Sequence, residues 1–134
     1  MELRQEAFHL LRQLFQQHTA TWQNVLPDLT KPQYAVMRSV AEHPGIEQVD
    51  LTAVAVSTKA TLAEMLNRME SRGLLRRDHC SADKRRRFVF LTQEGEALLE
   101  VCKPLGNSVD EQFLGRLSPV EQQQFSQLIR KMMA

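Results

Sequence analysis

Apolar residues recur on two faces of the first 25 positions. Leu3, Ala7, Leu10 and Leu14 stand at i, i+4, i+7 and i+11, and Phe8, Leu11, Phe15 and Trp22 form a second stripe. The spacing predicts one long helix over 2–25. One buried face needs only one stripe, so two stripes predict a helix covered on two sides. A polar loop follows, in which Thr30 is a candidate N-cap and Pro32 falls in the first turn of the next helix. Tyr34, Val36, Met37 and Val40 pattern that second helix, and His43-Pro44-Gly45 ends it.

A short helix is expected over 47–55, carrying Val49, Leu51, Val54 and Ala55. After a break at Val56-Ser57-Thr58, the next helix runs from Lys59 to Arg72 and stops at Gly73, a residue suited to the left-handed C′ position. Leu74 to His79 and Phe88 to Leu91 read as two strands joined by a charged tip, Cys80 to Arg87. Thr92 caps a further helix that continues through Leu98 and Val101 towards Phe113, with a bend expected near Pro104 and Gly106. Ser118-Pro119-Val120-Glu121 is a capping box with proline at N1, opening a last helix whose apolar face is Phe125, Leu128, Ile129 and Met132.

Two short helices joined by a tight turn, then a hairpin, is the order of a winged helix-turn-helix, although the turn lacks the usual glycine. The fold class expected is therefore mainly α with a small β-hairpin. A single domain spans 1–134: a lobe over 30–95, flanked by dimerisation helices over 1–29 and 96–134. At 134 residues the chain is one domain in length. The stripes at both ends either close the chain's own core or pair with a second copy about a two-fold axis. The dimer is favoured, because it would set two reading helices about one DNA turn (~34 Å) apart.

Composition narrows the class. At 43% hydrophobic and 25% charged the chain is globular. No apolar run approaches the ~20 residues that span a bilayer, and the N-terminus lacks a signal-peptide layout, so a cytoplasmic location is expected. Cys80 and Cys102 are read as reduced thiols. A net charge of +1 hides an uneven distribution: positions 57–87 hold nine basic side chains against four acidic ones, leaving the rest of the chain net negative. A basic segment in an acidic chain is a footprint for a polyanion.

On the second helix of the pair, Leu62, Met65, Leu66 and Met69 form the inward stripe. Ser57, Thr58, Lys59, Thr61, Glu64 and Arg68 are the candidates to meet DNA, the hydroxyls and Lys59 at phosphates near the helix N-terminus. Glu64 can accept from a cytosine amino group or pair with Arg68 one turn on. At the tip, Asp83, Lys84, Arg85 and Arg86 are the second group. A guanidinium on a narrow hairpin fits the minor groove, and Asp83 can hold Arg85 in place.

These residues also carry a resemblance. The stretch Leu66-Asn67-Arg68-Met69-Glu70-Ser71-Arg72-Gly73-Leu74, then Asp83-Lys84-Arg85, then Leu91-Thr92-Gln93-Glu94-Gly95 resembles the MarR family of bacterial transcription regulators. Leu29 to Tyr34 is similar to the family's entry into its second helix. The resemblance implies a winged-helix homodimer on double-stranded DNA, with the wing motif carried by Asp83 and Arg85. Many relatives have threonine and a basic residue where this chain has Ala63 and Glu64, so their base preference does not transfer.

The resemblance further implies a small effector, an aromatic carboxylate such as a hydroxybenzoate, whose binding releases DNA and so relieves repression. His9, Arg12, His18, Trp22, Tyr34, Met37 and Arg38 are the candidate contacts: arginine for the carboxylate, histidine or Tyr34 for a ring hydroxyl, each otherwise a core or surface residue. Two alternatives are a redox regulator using Cys80 among its arginines, and a winged-helix adaptor that does not bind DNA. An enzyme is not expected, since there is no glycine-rich phosphate loop, nucleophile elbow or paired histidines. No metal or cofactor is expected, because His9, His18, His43 and His79 lack ligand spacing.

Overall fold

Capping decides where the helices begin. The computed structural model describes residues 1–134. Thr30 accepts from the Gln33 N–H while the Gln33 side chain accepts from the Thr30 N–H, and this capping box starts α2 (Lys31–Glu42). Ser118 and Glu121 do the same for α6 (Pro119–Met133), with the expected proline at its first position. The other helices are α1 (Ala7–Val25), the single turn α3 (Leu51–Val54), α4 (Lys59–Ser71) and α5 (Gln93–Leu114).

Three expectations need correction. The first helix is not continuous: a 3₁₀ turn over Leu3–Gln5 is separated from α1 by Glu6, whose ψ of 134° is extended. The stretch read as helix from Glu47 instead opens as a strand, β1 (Ile46–Glu47), followed by a 3₁₀ turn over Gln48–Asp50, so that only Leu51–Val54 is α-helical. Val49, one of the apolar residues of that stretch, is exposed. The hairpin is thus part of a three-stranded antiparallel sheet, β1-β3-β2, with β2 over Leu75–His79 and β3 over Arg87–Leu91. Its register sets Leu75 opposite Leu91, Arg77 opposite Val89, and Ile46 opposite Val89 on the other side. α5 continues past Pro104 to Leu114, as expected of a helix running towards Phe113.

The chain divides into two compact units, one formed by Met1–Val25 with Pro104–Ala134 and one by Leu26–Lys103. In the central unit Leu29, Val36, Met37, Val40, Leu51, Leu62, Leu66, Met69, Leu75 and Val89 are each at most 2% exposed. Of the expected α4 stripe, Leu62, Leu66 and Met69 are buried, contributing about 2 kcal/mol per side chain, while Met65 is only half-buried. Gly73 ends α4 at φ +75°, its N–H bonded to the Glu70 carbonyl and that of Leu74 to Met69, which satisfies the last helical carbonyls.

The link into α5 depends on a close approach. The Thr92 hydroxyl donates to the Gly73 carbonyl and accepts from the Gly95 N–H. A Cβ on Gly95 would lie 1.9 Å from the Leu74 carbonyl oxygen. The Thr92-Gln93-Glu94-Gly95 motif therefore docks α5 against the strand entrance, and only glycine fits its fourth position.

In the terminal unit Trp22 and Val109 are buried, while Phe8, Leu10 and Phe15 on α1 and Val120, Leu128, Met132 and Met133 on α6 are exposed. No residue of α6 is fully buried. No helix is long and apolar enough to cross a membrane.

Candidate nucleic-acid interface

The start of α4 is a polar, exposed helix N-terminus. The Thr58 hydroxyl accepts from the Thr61 N–H at 3.2 Å and donates to the Thr61 hydroxyl at 3.0 Å. Lys59, Thr61, Glu64 and Arg68 are exposed around it, and Ser57 is half-buried. Glu64 and Arg68 form none of the ion pairs, so Glu64 remains available as an acceptor. The unsatisfied N–H groups and the helix dipole favour an anion here.

The turn before α4 does without glycine by strain. Val56 adopts φ +51° and is 91% exposed. A β-branched residue in the left-handed region costs about 1–2 kcal/mol.

At the wing tip, Asp83 accepts from the backbone N–H and Nε of Arg85 at 3.0 and 3.3 Å. These bonds hold the Asp83 carboxyl below its ordinary pKa. The Arg85 side chain is nonetheless 92% exposed, so it is aimed by one short contact and otherwise projects into solvent. Lys84 is exposed beside it.

Arg86, expected to reach DNA with Arg85, is engaged within the fold. It donates to Glu47 of β1 and lies over the Phe88 ring at 5.3 Å. Its hydrogen bond lowers the pKa of the Glu47 carboxyl, and the same contact raises that of Arg86. Arg86 therefore latches the wing to β1. A cleft of about 340 Å³ between wing base and helix start is lined by Glu47, Thr52, Lys59, Arg85, Arg86 and Arg87.

Other cations of the basic segment also serve the fold. Arg72 donates to the Asp28 carbonyl, and Arg76 pairs with Asp78 at 2.6 Å while covering Phe90 at 4.3 Å. The exposed cationic face is narrower than a count along the chain suggests. Glu47 was missed because a two-residue strand has no periodicity to read.

The effector candidates fall into separate places. On α1, His18 Nε2 lies 2.7 Å from Asp110 Oδ1, with the Phe113 ring at 5.3 Å and that of Trp22 at 6.0 Å. His9 stands nine residues earlier, about two and a half turns, and so leaves the opposite side of α1. It lines a shallow groove with Leu3, Arg12, Gln13 and Gln16. The terminal unit of one chain therefore does not bring His9 and His18 together. On α2, Tyr34 and Met37 are buried, and Arg38 is exposed, 3.6 Å from Glu42 and 5.9 Å from the Tyr34 ring. Asp110 and Phe113 were not expected from the sequence, since nothing local ties them to His18.

Helix, strained turn, polar helix N-terminus and a latched, arginine-tipped hairpin define a winged helix-turn-helix DNA-binding protein. The chain belongs to the MarR family of transcriptional regulators, whose family model matches residues 29–86. It is 71% identical to the transcriptional regulator HosA of Escherichia coli over 99% of this chain and 98% of that protein. Among solved structures, it superimposes on the PcaV transcriptional regulator of Streptomyces coelicolor in complex with its natural ligand, with a TM-score of 0.92 and 30% identity over 99% of this chain and 95% of that one. It is similarly close to BpsR of Bordetella bronchiseptica, whose structure concerns regulation of DNA binding by 6-hydroxynicotinic acid. That match has a TM-score of 0.91 and 30% identity over 99% and 96% of the two chains. The protein is a DNA-binding transcriptional regulator and not an enzyme.

Proposed function

We propose that the protein is a homodimeric repressor, holding a pseudo-palindromic operator through α4 in the major groove and the wing in the minor groove, and released by a hydroxylated aromatic acid. The observation that carries the DNA part is the Asp83–Arg85 pair, which aims an almost fully exposed guanidinium from a hairpin latched by Glu47–Arg86. Ser57, Thr58, Lys59 and Lys84 supply phosphate contacts, Thr61, Glu64 and Arg68 face base edges or backbone, and Arg85 enters the minor groove. Arg86 contributes chiefly by holding the wing.

The dimer reading rests on the uncovered apolar faces of α1 and α6, which a second copy would bury about a two-fold axis. It also supplies the only way for His9, on the far side of α1, to approach another chain's site.

The effector class is supported by the similarity to BpsR and by the chemistry around His18. An imidazole and carboxylate pair flanked by Trp22 and Phe113 offers stacking for a ring and a partner for a hydroxyl. Arg12 or Arg38 would take the carboxylate, with Tyr34 and Met37 as the α2 candidates. A ligand preferring the DNA-free state by 1–3 kcal/mol would change operator affinity by roughly 5–150-fold.

The test is fluorescence anisotropy on labelled DNA from beside the gene, titrated with a panel of hydroxybenzoates. Nanomolar binding reversed by one acid is the expected result. Tight binding that no acid reverses would remove the effector but keep the regulator. Calorimetry then assigns the carboxylate: if Arg12→Ala and Arg38→Ala each bind the acid like wild type, neither arginine holds it.

A further inference from the structure

Arg77 belongs to the basic segment yet does not present its charge to solvent. Its side chain is 9% exposed. In β2 it shares a face with the buried Leu75, while Arg76 and Asp78 alternate outward, so strand geometry turns it inward. There its guanidinium meets two other elements. Nη2 donates to Asn67 Oδ1 at 2.5 Å and to Glu70 Oε1 at 3.2 Å, both on α4 one turn apart. Nη1 donates to Gln48 Oε1 at 3.2 Å, in the 3₁₀ turn that leads into α3. The second Glu70 oxygen accepts from the Arg77 backbone N–H at 3.1 Å, on the edge of β2 that no strand covers.

One side chain thus joins the recognition helix, the wing strand and the entrance to the helix-turn-helix. A planar fork with several fixed donors can satisfy three acceptors on two elements, whereas a lysine ammonium is a single point with no fixed directions. A nearly buried cation held this way resists displacement, because breaking its pairs leaves an uncompensated charge.

We propose that Arg77 is a positioning residue for operator recognition: it fixes the angle of the wing relative to α4, so discrimination between operator and random DNA depends on it although it touches no DNA. The inference rests on the winged-helix reading of DNA above. The lever explains the sensitivity. At ~3.3 Å per residue the wing tip lies roughly 10 Å or more beyond Arg77, so a 10° tilt at its base moves Arg85 by about 2 Å. A displacement of that size takes a side chain out of a groove it must enter in step with the helix.

The experiment compares wild type, Arg77→Met and Arg77→Lys on two duplexes of equal length: the operator selected from a random pool by the wild-type protein, and a scrambled sequence. Circular dichroism and the thermal midpoint confirm that each variant is folded. Arg77→Met is expected to lose about tenfold or more in operator affinity and less than twofold on scrambled DNA, and Arg77→Lys to recover only part of the loss. Adding Arg85→Ala should cost clearly less in the Arg77→Met background than in wild type, since the wing is already misplaced. Should Arg77→Met fail to fold, Glu70→Gln and Asn67→Ala, altered at exposed partners, should lower the operator-to-scrambled ratio in the same direction.

Equal losses on both duplexes would make Arg77 a phosphate contact and overturn the proposal, as would an unchanged ratio in every variant. A selection by wild type that enriches no sequence would overturn the DNA reading itself and this inference with it.

Discussion

The central unit and the terminal unit solve the burial problem differently. In Leu26–Lys103, sheet and helices enclose a core of their own, and Val49, Val56 and Val101 are its only large apolar side chains left exposed. In Met1–Val25 with Pro104–Ala134, Trp22 and Val109 are the only large apolar side chains buried, while both α1 and α6 display rows of exposed apolar residues. The hydrophobic patterns of the two units are equally regular. A stripe therefore states that a face seeks cover, and not whether that cover lies within the same chain.

Two methionines break or sharpen this contrast most strongly. Met69 is fully buried and Met132 is 64% exposed. Met69→Ala should destabilise the chain by about 3 kcal/mol, through lost contacts and a cavity. Met132→Ala should change the stability of the isolated chain by less than ~0.5 kcal/mol. Urea unfolding at low protein concentration measures both, and equal losses would dissolve the distinction between the units.

The next test concerns the cover itself. Phe8→Glu combined with Leu128→Glu places charges on the exposed faces of α1 and α6. It should give a folded monomer by sedimentation, with operator affinity lower by about 100-fold, or ~2.7 kcal/mol. A variant that remains dimeric would assign those faces another role.

A smaller effect is expected at Val56, the central unit's exposed strained residue. Val56→Gly removes the left-handed penalty and exposes no core, but gives the unfolded chain more freedom. The expected net gain is within about 1 kcal/mol, read as a modest rise in thermal midpoint. A fall would mean that the valine side chain itself supports the turn.

The smallest is a pH effect on the wing latch. Glu47 has its pKa lowered in the folded state by Arg86. A depressed folded pKa contributes stability that is complete above the ordinary carboxylate range and is lost as pH falls through the lower folded value. Glu47→Gln should therefore lower the thermal midpoint near neutrality, and the difference should fade below about pH 4. A difference that persists unchanged into acid would show that the latch is not electrostatic.

Much of the fold was legible because its signals are local. Thr30 and Ser118 begin helices by bonding a residue three positions on, and Gly73 ends one by its own backbone freedom. The α4 stripe of Leu62, Leu66 and Met69 needs only the period of the helix. Asp83 and Arg85 are two residues apart, so their pairing was also readable.

What escaped has long sequence separation. Ile46–Glu47 is a strand only because β3, more than forty residues later, offers it hydrogen bonds. These two residues have no pattern of their own, and Glu47 reads as the start of a helix. The same separation hid the Glu47–Arg86 latch and the His18–Asp110 pair.

By itself the sequence determined the capped starts of α2 and α6, the bounds of α4 up to Gly73, the family, and the exposed polar start of α4 with its arginine-tipped wing. Only the tertiary structure decided which cations are available and which are absorbed. Arg77 and Arg86 look like Arg85 along the chain, but one is drawn under the sheet by strand alternation and the other is captured by a distant carboxylate. A charge pattern records how many cations are near a surface. Their directions are set by partners that lie close only after the chain has folded.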